Sequence, residues 1–160
     1  MNIRLFYAAQ VARLRNVHIA LALQEQIMNP ASGVTVGIEA EATTVVTREV
    51  TVRHFHEHMP EVYGTPFMIY LMEVAASNAV QPSLPSGWVS VGVDVNIRHL
   101  SATPLGRTVT ARAKVTKVTE KLIEFEVEAH DGVNLIGKGT HTRAPINLER
   151  FEKSLSRPAA

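Results

Sequence analysis

An α+β fold, with one long central helix wrapped by an antiparallel β-sheet, is what the sequence predicts, and three observations carry the prediction. The stretch Thr65–Val80 is apolar nearly all round, the mark of a helix buried on every side. The half of the chain that follows it holds successive runs in which apolar and polar residues alternate, the period of half-buried strands. Between two of those runs stands His130-Asp131-Gly132, and Asp-Gly is a strong hairpin signal.

The 160 residues suit one domain with a sizeable core. Apolar residues make up 46% and charged ones 19%, an ordinary globular balance. A net charge of +1 gives neither a basic footprint for nucleic acid nor an acidic tail. With no cysteine, disulfides, thiolate nucleophiles and thiolate metal sites are excluded, and a reducing, cytoplasmic location is compatible. No apolar run approaches the ~18 to 20 residues that cross a bilayer, so no membrane partner is expected.

Residues 1–28 read as an extension outside the main fold, helical over Arg4–Ile27, with residues 29–160 as the domain. Arg4, Arg13 and Arg15 precede the first acid, Glu25, which also fits a transit-like segment, though without a clear cleavage site. A third reading places the natural start at Met28, because a complete-looking domain follows it. Asn29-Pro30-Ala31-Ser32-Gly33 is a linker by composition. Val34–Val46 is a strand with imperfect alternation at Ala40–Ala42, and Thr51–His58 is expected to be extended up to Met59-Pro60.

The helix follows, with Thr65 as N-cap and Pro66 at its first position. Pro82, Pro85 and Gly87 mark its end. In Trp88–Leu100, Val89, Val91, Val93, Val95 and Ile97 share one face, opposite Ser90, Gly92, Asp94, Asn96 and Arg98. Thr108–Val118 and Leu122–Ala129 repeat the pattern, and Val133–Arg143 returns after the Asp-Gly turn. Arg112 and Lys114 on one strand oppose Glu124, Glu126 and Glu128 on the next, which suggests a meander with one solvated face.

Glu73 is the only charge in the central helix. A carboxylate there loses hydration and needs a partner, and groups held this way are often functional. The bland account has it reaching the sheet edge to find water or an arginine. His99 falls on the inward parity of its strand, facing the helix that carries Glu73; a lone inward histidine is more often a hydrogen-bonded core residue. The Thr65 hydroxyl is explained by capping, yet the helix start beside it offers backbone N–H groups to an oxyanion. His54, His56 and His58 would face one way on a strand, as metal ligands do, but nothing nearby completes the set. No G-x-S-x-G elbow, phosphate loop or H-E-x-x-H helix is present.

The run Thr65–Glu73, then Val91-Gly92 and His99-Leu-Ser-Ala-Thr-Pro104, resembles the fluoroacetyl-CoA thioesterase group of hotdog-fold proteins. So do Thr51–His54, Ala129–Gly132, Gly137–Arg143 and Ile146–Phe151, and the likeness spans roughly Val34 to Lys153. The resemblance implies a hotdog fold and homodimers, with pairing into tetramers left open, whose acyl-CoA sites lie near the subunit interface. It implies thioester hydrolysis with no cofactor beyond the coenzyme A of the substrate. It places the family's catalytic threonine, glutamate and histidine at Thr65, Glu73 and His99, and its substrate and CoA contacts at Gly92 and Arg143. The fluoroacetyl-specific members carry a longer segment before the helix with two covering phenylalanines. Here Met59 stands where the second would be and nothing corresponds to the first. Thr65 and Glu73 also lie eight residues apart, a rise of about 12 Å along a helix. Either the helix begins after Thr65, or two subunits share the site.

Overall fold

Five strands and one long helix form the architecture of the computed structural model, which describes residues 29–156 together with Ile19 and Gln24. The extension expected over residues 1–28 otherwise lies outside the described residues. The strands are β1 (Glu39–Val45), β2 (Trp88–His99), β3 (Thr108–Val118), β4 (Ile123–His130) and β5 (Leu135–Asn147). They form one antiparallel sheet in the order β1-β3-β4-β5-β2. Helix α1 (Thr65–Val80) enters the chain between β1 and β2 and lies in the curl of the sheet, and a short helix α2 (Leu148–Leu155) follows β5. This is the helix wrapped by an antiparallel sheet that the sequence predicts, and the hotdog arrangement that the resemblance implies.

Helix α1 packs Met68, Leu71, Met72, Ala75, Ala76, Ala79 and Val80 into the core, against Val109, Ala111, Ala113, Val115, Phe125 and Val127 of the sheet. Small alanines on both sides let helix and sheet approach closely. The expectation of burial on every side is corrected: Tyr70 is 68% exposed, and Thr65, Pro66 and Asn78 are exposed with it. One flank of an apolar helix is open in the single chain. At its N-terminus Gly64, not Thr65, is the N-cap, and no side chain caps it. Thr65 is the first helical residue, so its hydroxyl is free for another partner.

The hairpin reading holds in detail. Gly132 takes φ +86°, and the Asp131 carboxylate accepts from the amides of Val133 (3.0 Å) and Asn134 (2.7 Å). Those two backbone bonds hold the Asp131 carboxyl below its usual range. On the solvated face Arg112 sits opposite Glu128 and Lys114 opposite Glu126, while the Arg112 guanidinium turns to Glu41 (3.4 Å) and Glu39 (3.6 Å) of β1.

Strand β2 departs from its simple alternation. Gly92 pairs with Arg143, but Asp94 pairs with Thr142, which leaves Val93 as an extra residue in a β-bulge. Residues directly opposed in a sheet share a face. Ser90 and Gly92 therefore face α1 before the bulge, and Val95, Ile97 and His99 face it afterwards. Val89, Val91 and Val93 do not share the inner face as alternation suggested, and Val93 is 54% exposed. Inner rungs then run Ile123–Arg143–Gly92, Phe125–His141–Val95, Val127–Gly139–Ile97 and Ala129–Gly137–His99.

Candidate active site

Where α1 begins, the Thr65 hydroxyl lies 2.8 Å from Nδ1 of His99, the last residue of β2. Two distant parts of the chain meet here because the bulge keeps His99 on the helix side and Gly64 frees the Thr65 side chain. The other ring nitrogen, Nε2, is buried and has no partner among the described residues. An orphaned buried polar atom costs about 1 to 3 kcal/mol, which fits a group kept for chemistry better than one kept for packing. The helix end offers fewer donors than a bare N-terminus would. Pro66 has no N–H, and the amides of Phe67 (3.0 Å) and Met68 (3.2 Å) go to the Gly64 carbonyl. The Thr65 amide is the donor that remains at this point.

Two turns along α1, Glu73 projects toward the Gly92 end of β2. Its Oε2 lies 3.3 Å from Nη1 of Arg143, with side chains 36% and 7% exposed respectively. The carboxylate is thus neither sealed in the core nor free in solvent. Gly92 is what admits it: a β-carbon there would lie 2.9 Å from Glu73 Oε2 and 3.1 Å from His141 Cε1. Arg143 donates from Nε to Ser90 Oγ (2.9 Å) and from Nη2 to the Ser90 carbonyl (2.6 Å). Its Nη1 also faces the Glu73 carbonyl (3.3 Å) and His141 Nε2 (3.2 Å). With Ser90 holding Nε and Nη2 and Glu73 meeting Nη1, this guanidinium clamps the Glu73 carboxylate against the sheet.

The candidates therefore fall into two groups. Thr65 and His99 meet; Glu73, Gly92 and Arg143 meet; and a straight α1 separates Thr65 from Glu73 by about 12 Å, with the helix indeed starting at Thr65. The histidine trio is not brought together. Val52–His54 is a 3-10 turn and residues 55–59 continue as turns rather than a strand, so the common face expected of an extended segment is lost. Among the described residues no group of three or more His, Cys, Asp or Glu could hold a metal ion.

Sequence reasoning missed three participants. Ser90 and His141 gave no signal beyond strand alternation. Phe55 stacks on Phe67, with centroids 5.8 Å apart, and Phe67 presses on Gly64 beside the Thr65–His99 pair. Phe55 is 64% exposed, so an aromatic surface borders this end of the site.

The family profile described as fluoroacetyl-CoA-specific thioesterase matches residues 46–149. The chain is 42% identical over 125 residues to the fluoroacetyl-CoA thioesterase of Streptantibioticus cattleyicolor, covering 74% of this chain and 90% of that one. Among solved structures, a fluoroacetyl-CoA thioesterase superposes with a TM-score of 0.74 at 39% identity, over 79% of this chain and 100% of the other. A thioesterase-superfamily protein of Thermus thermophilus superposes with a TM-score of 0.72 at 30% identity, over 78% of this chain and 92% of that one.

Proposed function

This chain belongs to the fluoroacetyl-CoA-specific thioesterase family and is an acyl-CoA thioesterase, and on that footing we propose that it hydrolyses a short or small-acyl CoA thioester with Thr65, Glu73 and His99. The 2.8 Å contact between Thr65 Oγ1 and His99 Nδ1 is the observation that carries this reading. It marks a polar point on the apolar rim formed by Phe55 and Phe67, where a thioester carbonyl can be polarised by the threonine hydroxyl and amide. Glu73 activates water as a general base or attacks the carbonyl to form an anhydride. His99 takes the proton from water or steadies the carboxylate. Thiolate leaves readily, because the conjugate thiol has a pKa of about 8.5, so no strong general acid is required.

The about 12 Å between Thr65 and Glu73 of one copy is reconciled by a homodimer in which each site takes the Thr65–His99 pair from one copy and Glu73 from the other. Three features support it. Strand β2 is a 12-residue edge with no neighbour on its free side among the described residues. Val93 (54%) and Val95 (38%) are exposed along it, and Tyr70 (68%) stands on the open flank of α1. Unpaired edges of this length invite strand addition. Gly92 then gives the acyl group room beside Glu73, and Arg143 acts on the substrate through the carboxylate it holds.

Mixing two inactive variants tests the arrangement. In a mixed dimer of Thr65→Ala and Glu73→Gln copies, one of the two shared sites is wild type. Random reassociation therefore restores about a quarter of wild-type sites. No recovery in a verified mixed dimer would place each site within one chain. A panel of short-chain, aryl and halogenated acyl-CoA thioesters, with Glu73→Gln as the control, identifies the acyl group. Labelled water under single-turnover conditions separates the two roles of Glu73, since only the anhydride route places the label in the enzyme carboxylate.

A further inference from the structure

His141 has no part in the chemistry so far, yet it is 1% exposed and touches the centre of the Glu73 cluster. Its ring sits on β5, one rung from Arg143, with Phe125 of β4 stacked beside it at 6.1 Å and Val95 of β2 opposite. Nε2 is 3.2 Å from Arg143 Nη1, and Nδ1 is 2.8 Å from the Asp94 carbonyl oxygen. Both neighbours leave the ring one choice. A guanidinium has donors only, so Nε2 must accept. A carbonyl oxygen accepts only, so Nδ1 must carry the proton and donate.

The charged and titratable groups facing the ring are Arg143 on its own strand, Glu73 from α1 and Asp94 from β2, while β4 contributes only Phe125. Burial outweighs the two carboxylates and keeps the imidazole more reluctant than usual to take a second proton. That reluctance matters, because a doubly protonated ring would turn an N–H on Arg143. Ser90 anchors one side of the fork through Nε and Nη2, and Nη1 is the arm that reaches Glu73. His141 is the sheet-side acceptor on that arm.

We propose that His141 is a positioning residue: as a neutral, Nδ1-protonated imidazole it accepts from Arg143 and thereby fixes the guanidinium that aims the Glu73 carboxylate. The proposal rests on the reading of Glu73 as the reacting carboxylate. The bulge that makes Val93 the extra residue of β2 has a role in it, since Asp94, the next residue, supplies the carbonyl that sets the tautomer.

The test compares wild type, Glu73→Gln, His141→Phe and His141→Gln as full chains with acetyl-CoA. Phenylalanine keeps the stacking on Phe125 and removes the acceptor; glutamine restores an amide oxygen toward Arg143. His141→Phe is expected to lower kcat by about 10- to 100-fold, the scale of a misplaced reacting group, with KM within about twofold of wild type and most of kcat recovered in His141→Gln. A folded His141→Phe enzyme with wild-type kcat overturns the proposal. Imidazole nitrogen resonances of the wild-type protein provide a readout that needs no variant. A neutral Nδ1–H ring at pH 6 supports the proposal, and an Nε2–H or charged ring overturns it. If Glu73→Gln keeps full activity, the reading of Glu73 fails and His141's role with it. If Glu73→Gln is inactive while His141→Phe is unaffected, only the His141 proposal falls.

Discussion

Adding a single methyl group at Gly92 should displace the Glu73 carboxylate, which we propose to be the reacting group, without unfolding the protein. A β-carbon at this position lies 2.9 Å from Glu73 Oε2, 3.3 Å from its Cδ and 3.1 Å from His141 Cε1. Ordinary carbon–oxygen contact needs about half an ångström more. The His141 ring is pinned by hydrogen bonds on both nitrogens, whereas Glu73 is the end of a flexible side chain with 36% of it exposed. The carboxylate therefore yields, away from Gly92, and its Arg143 contact is already 3.3 Å long. A misplacement of 1 Å costs roughly 100-fold in rate, so half of that corresponds to about tenfold in kcat. The backbone at Gly92 has no positive φ, so alanine fits it and gains a few tenths to about 1 kcal/mol by restricting the unfolded chain. Gly92→Ala should then lose about tenfold in kcat while its Tm stays level or rises. CoA release at saturating acetyl-CoA, followed with a thiol-reactive dye beside a thermal melt, measures both. A variant with wild-type kcat would refute the placement of Glu73 against Gly92. A large fall in Tm with kcat intact would show that the main chain, not the carboxylate, had moved.

Three further outcomes follow from the geometry. Thr65→Val removes the hydroxyl that meets His99 Nδ1 and should cost about 100-fold in kcat, whereas Thr65→Ser should keep most of the activity; equal losses in both would mean that the methyl group matters instead. Val93→Lys places a charge on the exposed bulge of the β2 edge and should weaken association and activity together; sedimentation showing an active monomer would exclude the shared site. The neutral His141, whose pKa burial lowers from the ordinary 6.5, ties stability to pH. The unfolded chain takes up a proton in that region that the folded chain refuses, so this contribution is complete above 6.5 and is lost as pH falls below it. The slope is at most about 1.4 kcal/mol per pH unit. Urea melts from pH 8 to 5 should show a flatter dependence in His141→Gln, and identical slopes would contradict the sign.

The central helix, the four later strands and the Asp-Gly turn were legible because each rests on a local pattern: an all-apolar helical stretch, a period of two, and a residue pair suited to φ > 0. Glu73 stood out because one charge among apolar neighbours has few physical explanations. The bulge at Val93 was not legible, since V-S-V-G-V-D-V-N-I alternates without a break and nothing in it shows that one residue is skipped. His99 was nevertheless placed inward, because it shares parity with Val95 and Ile97 beyond the bulge. Thr65 was read as a cap because threonine before proline fits that position; that Gly64 takes it instead depends on the turn entering from Tyr63. The segment of His54, His56 and His58 is a run of turns where an extended backbone was expected, and alternation places side chains on one face only when the backbone is extended. Ser90 and His141 were hidden for another reason: a small hydroxyl or a ring on an inner strand face is indistinguishable from packing until the arginine it holds is seen.

Helix α1 also acts as a ruler for insertions and deletions. Thr65 and Glu73 lie eight residues apart on one rigid element, and adding one residue between them would turn Glu73 by about 100° and shift it by about 1.5 Å. It would then miss Gly92 and Arg143 at once, and no side-chain substitution could bring it back. The loop before the helix and the turn after it carry no such constraint, because neither lies between the two groups. Length changes should therefore be tolerated over residues 56–61 and 85–87 and be fatal to activity within 66–72, a pattern that an insertion library would expose as an interval without active clones between two permissive ones.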